Sequence, residues 1–153
     1  MAQARTDVPT QVSDIMTRRL VKLTAQASLA DAHQITREKG IRHLPVVDPL
    51  TGKVLAIVTQ KSLVAKVISL LSLYGSEALA EHEQDTSILE VAVKDFDTAQ
   101  ADDPLIEVAP FFLRNKHGCL PVVDDKGSLI GMVTSSDFVK LSAQLLEHIG
   151  DQN

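Results

Sequence analysis

Apolar positions in this chain fall into short blocks separated by polar turns. Leu44-Pro45-Val46-Val47 and Val54-Leu55-Ala56-Ile57-Val58 are brief, apolar and rich in β-branched residues. Such blocks predict buried strands, and the Gly-containing turn between them predicts a hairpin. Upstream, Leu29, Ala32, Ile35 and Thr36 recur at helical spacing behind Ser28 and Asp31, which read as a capping box. Gly40 is placed to stop that helix. After Thr59 a second helix is predicted through Leu63-Val64-Ala65-Lys66-Val67-Ile68.

The same pattern then returns. Leu44-Pro45-Val46-Val47-Asp48 recurs as Leu120-Pro121-Val122-Val123-Asp124, 76 positions later. At that offset Asp14-Ile15 meets Glu90-Val91, Asp31-Ala32 meets Glu107-Val108, and Ile35 meets Phe111. Past the hairpin turn the offset is 75, so Gly52 through Thr59 meets Gly127 through Thr134. The lost residue lies in a turn, where length changes are tolerated. The second copy predicts a helix opened by Asp103-Pro104, a hairpin, and a closing helix from about Phe138 to His148. Each copy reads strand–helix–strand–strand–helix, with a weak first strand at Leu20–Thr24 and at about Phe96–Ala99. A solenoid generally needs three or more units. Two units imply a pseudo-twofold pair.

The boundaries follow: a tail at 1–11, a first repeat at 12–72, a polar, acidic linker at 73–86, a second repeat at 87–149, and a tail at 150–153. The linker reads as a solvated connector.

Composition narrows the chemistry. Aromatic residues are 3% of the 153 residues and Trp is absent, so the core is aliphatic. A net charge of −5 gives no global attraction to nucleic acid or anionic membrane. No apolar run reaches the roughly 18 residues of a membrane span, and the N-terminus lacks a signal-peptide apolar region. A cytoplasmic protein without membrane insertion is expected. The single cysteine, Cys119, precludes an internal disulfide and reads as a buried thiol. His33, His82, His117 and His148 show no metal-ligand spacing, and there is no P-loop or dinucleotide glycine fingerprint.

Three elements carry a family resemblance. They are Asp14-Ile15-Met16-Thr17, the twice-occurring Leu-Pro-Val-Val-Asp, and Gly131-Met132-Val133-Thr134-Ser135-Ser136-Asp137. In this order they resemble tandem CBS domains, over residues 12 to 142. The resemblance implies an α/β fold of two pseudo-symmetric β-α-β-β-α repeats packed sheet to sheet. It implies a regulatory role without catalysis, and clefts that hold AMP, ADP, ATP or S-adenosylmethionine. No cofactor is required; the adenine nucleotide is a regulatory ligand. Homodimerisation through helices is also implied. The effector, another chain or a parent protein, is not encoded.

The candidate site follows from the last element. Thr134 and Asp137 sit at a strand-to-helix junction, where unpaired N–H groups and the helix dipole favour phosphate. The Thr hydroxyl can donate to phosphate, and a carboxylate three residues on can accept from vicinal ribose hydroxyls. The same Thr-x-x-Asp is also an acidic analogue of the capping box, needing no ligand. By the resemblance, Met132 joins this site, and the first repeat walls it with Met16, Thr17, Val21, Ile41 and Arg42. Arg42 and His43 could reach phosphates or form a solvated loop. Arg18, Arg19 and Lys94 are further basic candidates that read first as solvated. In the first repeat the motif is degraded, with Ala56 for Gly131, Thr59 retained and Ser62 for Asp137. One competent and one weakened site are expected. The alternative is a ligand-free dimerisation or interaction module.

Overall fold

The computed structural model describes residues 8–115 and 118–151. His117, the first seven residues of the N-terminal tail, and Gln152 and Asn153 lie outside these. The chain divides into two compact units. One is contiguous, Val21–Phe96; the other joins the described residues up to Leu20 with those from Asp97 onward.

The contiguous unit holds α1 (Leu29–Lys39), β1 (His43–Val47), β2 (Val54–Thr59), α2 (Gln60–Tyr74), α3 (Leu79–Asp85) and a 3-10 turn at Ile88–Glu90. Ser28 caps α1 as expected. Its hydroxyl accepts the Asp31 N–H at 3.2 Å, and the Asp31 carboxylate accepts the Ser28 N–H at 2.9 Å. Gly40 ends the helix at φ 64°, a left-handed turn that suits glycine. Leu29, Leu44, Val46, Val58 and Ile88 form the heart of its core.

The discontinuous unit holds a 3-10 turn at Val12–Asp14, α4 (Leu105–Arg114), β3 (Cys119–Val123), β4 (Leu129–Thr134) and α5 (Ser135–Asp151). Its core gathers Val12, Leu105, Phe112, Leu120, Val122 and Val133.

The two hairpins share one construction. β1 pairs antiparallel with β2 from His43↔Thr59, with a bulge between Val46 and Val47. β3 pairs with β4 from Cys119↔Thr134, with a bulge between Val122 and Val123. The Asp after each bulge holds the turn: Asp48 accepts the N–H groups of Leu50 and Thr51, and Asp124 those of Lys126 and Ser128. That local closure explains why the turn absorbs a one-residue difference.

The weak first strands do not form. Each is a single parallel bridge, Leu23 with Val46 and Ala99 with Val122. Leu23 donates to the Pro45 carbonyl and Ala99 to that of Pro121, both at 2.9 Å. The prolines have no N–H to extend the ladder.

The stretch read as a solvated connector contains α3. Glu83 on this helix is buried, and its carboxylate meets His33 Nδ1 of α1 at 2.5 Å. The His82 ring stacks on Tyr74 with centroids 3.6 Å apart. Among the described residues, no helix is long and apolar enough to cross a membrane.

Candidate nucleotide site

β4 delivers Thr134 to the start of α5, and Asp137 follows one turn into that helix. Asp137 is only 7% exposed. Its Oδ2 accepts the Thr134 backbone N–H at 2.9 Å and the Thr134 hydroxyl at 3.4 Å. Its Oδ1 accepts the Thr17 hydroxyl at 3.3 Å. The carboxylate therefore acts as a cap, and two of its three donors are hydroxyls at the long end of hydrogen-bonding range.

Thr17 is held there by its backbone. Its N–H donates to the Met132 carbonyl at 2.9 Å, and Met132 N–H returns a bond to Thr17 at 3.0 Å. The reading above placed Thr17 and Met16 on a wall contributed by the first repeat. They instead belong to the same unit as Asp137. The cause is the anchoring of the preceding segment: Val12 donates to Asp103, Ser13 to Ala101, and Leu105 to Thr10. Val12 is fully buried in that unit's core.

The structure thus brings Thr17, Met132, Thr134 and Asp137 together. Val21, Ile41, Arg42, His43, Thr59 and Ser62 belong to the contiguous unit. There Val21 and Ile41 are half-buried against the core. Arg42 is exposed, and its carbonyl accepts the first N–H of α2, from Gln60, at 2.8 Å. His43 opens β1 opposite Thr59. Arg18, Arg19 and Lys94 are exposed.

The counterpart of Thr134 and Asp137 closes on itself. The Thr59 hydroxyl accepts the Ser62 N–H and donates to Ser62 Oγ, both at 3.0 Å. Ser62 Oγ accepts the Thr59 N–H at 3.1 Å and donates to the Thr59 carbonyl at 3.0 Å. This is a neutral cap with no carboxylate for a diol.

Cys119 opens β3 opposite Thr134. Burial pushes its thiol up to about 12, so little thiolate exists at neutral pH. Among the described residues, no group of three or more His, Cys, Asp or Glu could hold a metal.

Two helix-backed hairpins, each widened by a bridge on either edge, define a tandem α/β repeat. Comparison with known proteins names it. The CBS domain family model matches residues 12–69 and 88–144, and the chain belongs to that family. It is similar to the structure of an acetoin utilization protein (AcuB) from Vibrio cholerae, with a TM-score of 0.75, 34% identity, and 92% and 96% of the two chains covered. It also resembles CBSX2 in complex with AMP, with a TM-score of 0.72, 26% identity, and 90% and 98% covered. A third likeness is the CBS domain pair of protein MJ0100 with 5′-methylthioadenosine and S-adenosyl-L-methionine, at 0.68, 28%, and 89% and 98%. A curated relative, homoserine O-acetyltransferase of Methanococcoides burtonii, is 30% identical over 86% of this chain. The chain spans about a quarter of the length of the first such relatives it matches.

Proposed function

We propose that the chain is a regulatory CBS pair that binds an adenosine-bearing ligand at Asp137 and has no catalytic role. The observation that carries this reading is the buried Asp137 carboxylate, held at the start of α5 by one strong N–H bond and two weak hydroxyl bonds. A ribose diol can replace the two hydroxyls while the Thr134 N–H stays in place. The released Thr134 hydroxyl is then free to donate to a phosphate at the helix N-terminus. That AMP accompanies CBSX2, and 5′-methylthioadenosine and S-adenosyl-L-methionine accompany MJ0100, supports the class of ligand.

Thr17 and Met132 complete the sugar side of the proposed site. Thr59 and Ser62 form the weaker site. Signalling would run through a ligand-dependent change in packing, which requires different affinity for two conformations.

The test is a thermal-melt panel with AMP, ADP, ATP, S-adenosylmethionine and GTP, on wild type and Asp137→Asn. At 100 times its dissociation constant a ligand stabilises by about 2.7 kcal/mol. For a chain of this size that is a rise of about 5–11 °C. A rise with adenine ligands, absent in D137N, supports the site. No rise in wild type at millimolar ligand overturns it in favour of a ligand-free interaction module.

A further inference from the structure

Thr17 and Val93 stand at the same place in the two units. Thr17 exchanges both backbone hydrogen bonds with Met132, at 2.9 and 3.0 Å. Val93 exchanges both with Ile57, at 2.7 and 2.9 Å. The two pairs are related by the repeat offsets of 76 and 75. Their side chains differ. The Thr17 hydroxyl reaches Asp137 Oδ1, whereas Val93, in the unit where Ser62 replaces Asp137, has no hydroxyl to offer. The capping hydroxyls do not follow this rule, because Thr59 is kept beside Ser62 just as Thr134 is kept beside Asp137. In these two units the hydroxyl at the place of Thr17 goes with the carboxylate and not with the cap.

Breaking the Thr17–Asp137 bond costs its two partners unequally. Thr17 is exposed and its backbone is fixed by Met132, so rotation about χ1 alone turns the hydroxyl out to water. Asp137 is buried, so its Oδ1 must receive another donor in exchange. At 3.3 Å the bond is long for O–H···O and yields to a closer donor. A ribose hydroxyl is such a donor. A ligand without a hydroxyl at this place leaves Thr17 where it stands.

We propose that the Thr17 hydroxyl is an internal stand-in for one ribose hydroxyl, a competitor that raises the ligand concentration at which the Asp137 site fills. The inference rests on the reading of Asp137 as the sugar-binding group. It gives Thr17 the opposite sign from an ordinary contact residue, since removing its hydroxyl strengthens binding.

Calorimetric titration of the full chain with AMP and 5′-methylthioadenosine tests it, on wild type, Thr17→Val and Thr17→Ser. Valine keeps the branched shape and is the residue the other unit uses here. Thr17→Val should bind about three- to tenfold more tightly than wild type, the worth of one modest hydrogen bond. Thr17→Ser keeps a hydroxyl and should hold the wild-type affinity. The 2′-deoxy and 3′-deoxy forms of the ligand identify the exchange. With the form that lacks the displaced hydroxyl, wild type and Thr17→Val should bind alike. Weaker or unchanged binding by Thr17→Val overturns the inference and, where Asp137→Asn abolishes binding, leaves Asp137 as the sugar group. A lower melting temperature without tighter binding marks a merely structural bond and overturns it too. So does equal tightening of the ribose ligand and both deoxy forms, which marks a loosened cleft. If wild type takes neither ligand, the reading of Asp137 fails and the inference falls with it.

Discussion

The sulfur of Met16 stands 2.6 Å from the point where a β-carbon on Gly131 would lie. The Thr17 carbonyl is 3.2 Å from the same point. Gly131 thus lets residues 16 and 17 lie flat on β4, which is what carries the Thr17 hydroxyl to Asp137. At the corresponding places the contiguous unit has Ala92 and Ala56, a small residue on each side. Gly131→Ala should therefore destabilise the fold by about 1–3 kcal/mol through overpacking. Met16→Ala alone should also destabilise, because Met16 is buried. The double variant should cost less than the sum of the two, with a favourable coupling of about 0.5–3 kcal/mol. Urea unfolding of the four proteins measures this. Additive costs would show that Met16 moves aside freely.

Ser62 occupies the place of Asp137 and leaves its cap neutral. Ser62→Asp restores a carboxylate next to the Thr59 N–H. If Asp137 binds the ligand's sugar, calorimetric stoichiometry should rise toward two per chain in this variant. An unchanged stoichiometry would mean that surroundings other than position 62 close the first-repeat site.

Asp14 accepts the N–H groups of Thr10 and Gln11 at 2.9 and 3.1 Å. These bonds hold its carboxyl below the ordinary value of 3.8. The stabilisation is present above that value and disappears as pH falls through the lowered one. Asp14→Asn should thus lower the melting temperature at pH 7. The gap from wild type should narrow as pH drops below 3.8, as melts across a pH series would record. Because Asp14 is exposed, the effect is modest.

Much of the architecture was legible because it is written in local signals. The Ser28 cap, the Gly40 stop and both hairpins depend on residues a few positions apart, and all appear where expected. The candidate site was legible where it too is local, as in the cap of Thr134 by Asp137. Elsewhere the structure depends on partners distant in sequence. Pro45 and Pro121 reduce the first strands to bridges, although Leu20–Thr24 has strand character. Glu83 looked like part of a solvated linker, since nothing nearby names His33, 50 residues away, as its partner. Thr17 was read with the first repeat because it runs straight into it in sequence; its hydrogen bonds to Met132 carry no local mark.

The placement of Thr17 has a consequence for how the molecule is made. Thr17 and Asp137 are 120 residues apart, yet they share a hydrogen bond within one unit. The Val21–Phe96 unit lies between them as an uninterrupted insertion, and all its pieces emerge from the ribosome in one stretch. The other unit cannot close until α5 has been translated, so its opening segment must wait while the whole intervening unit is made. The half that carries Asp137 is therefore completed after the other, and a chain released before α5 would hold an intact Val21–Phe96 unit beside an opening segment that has no partner strand.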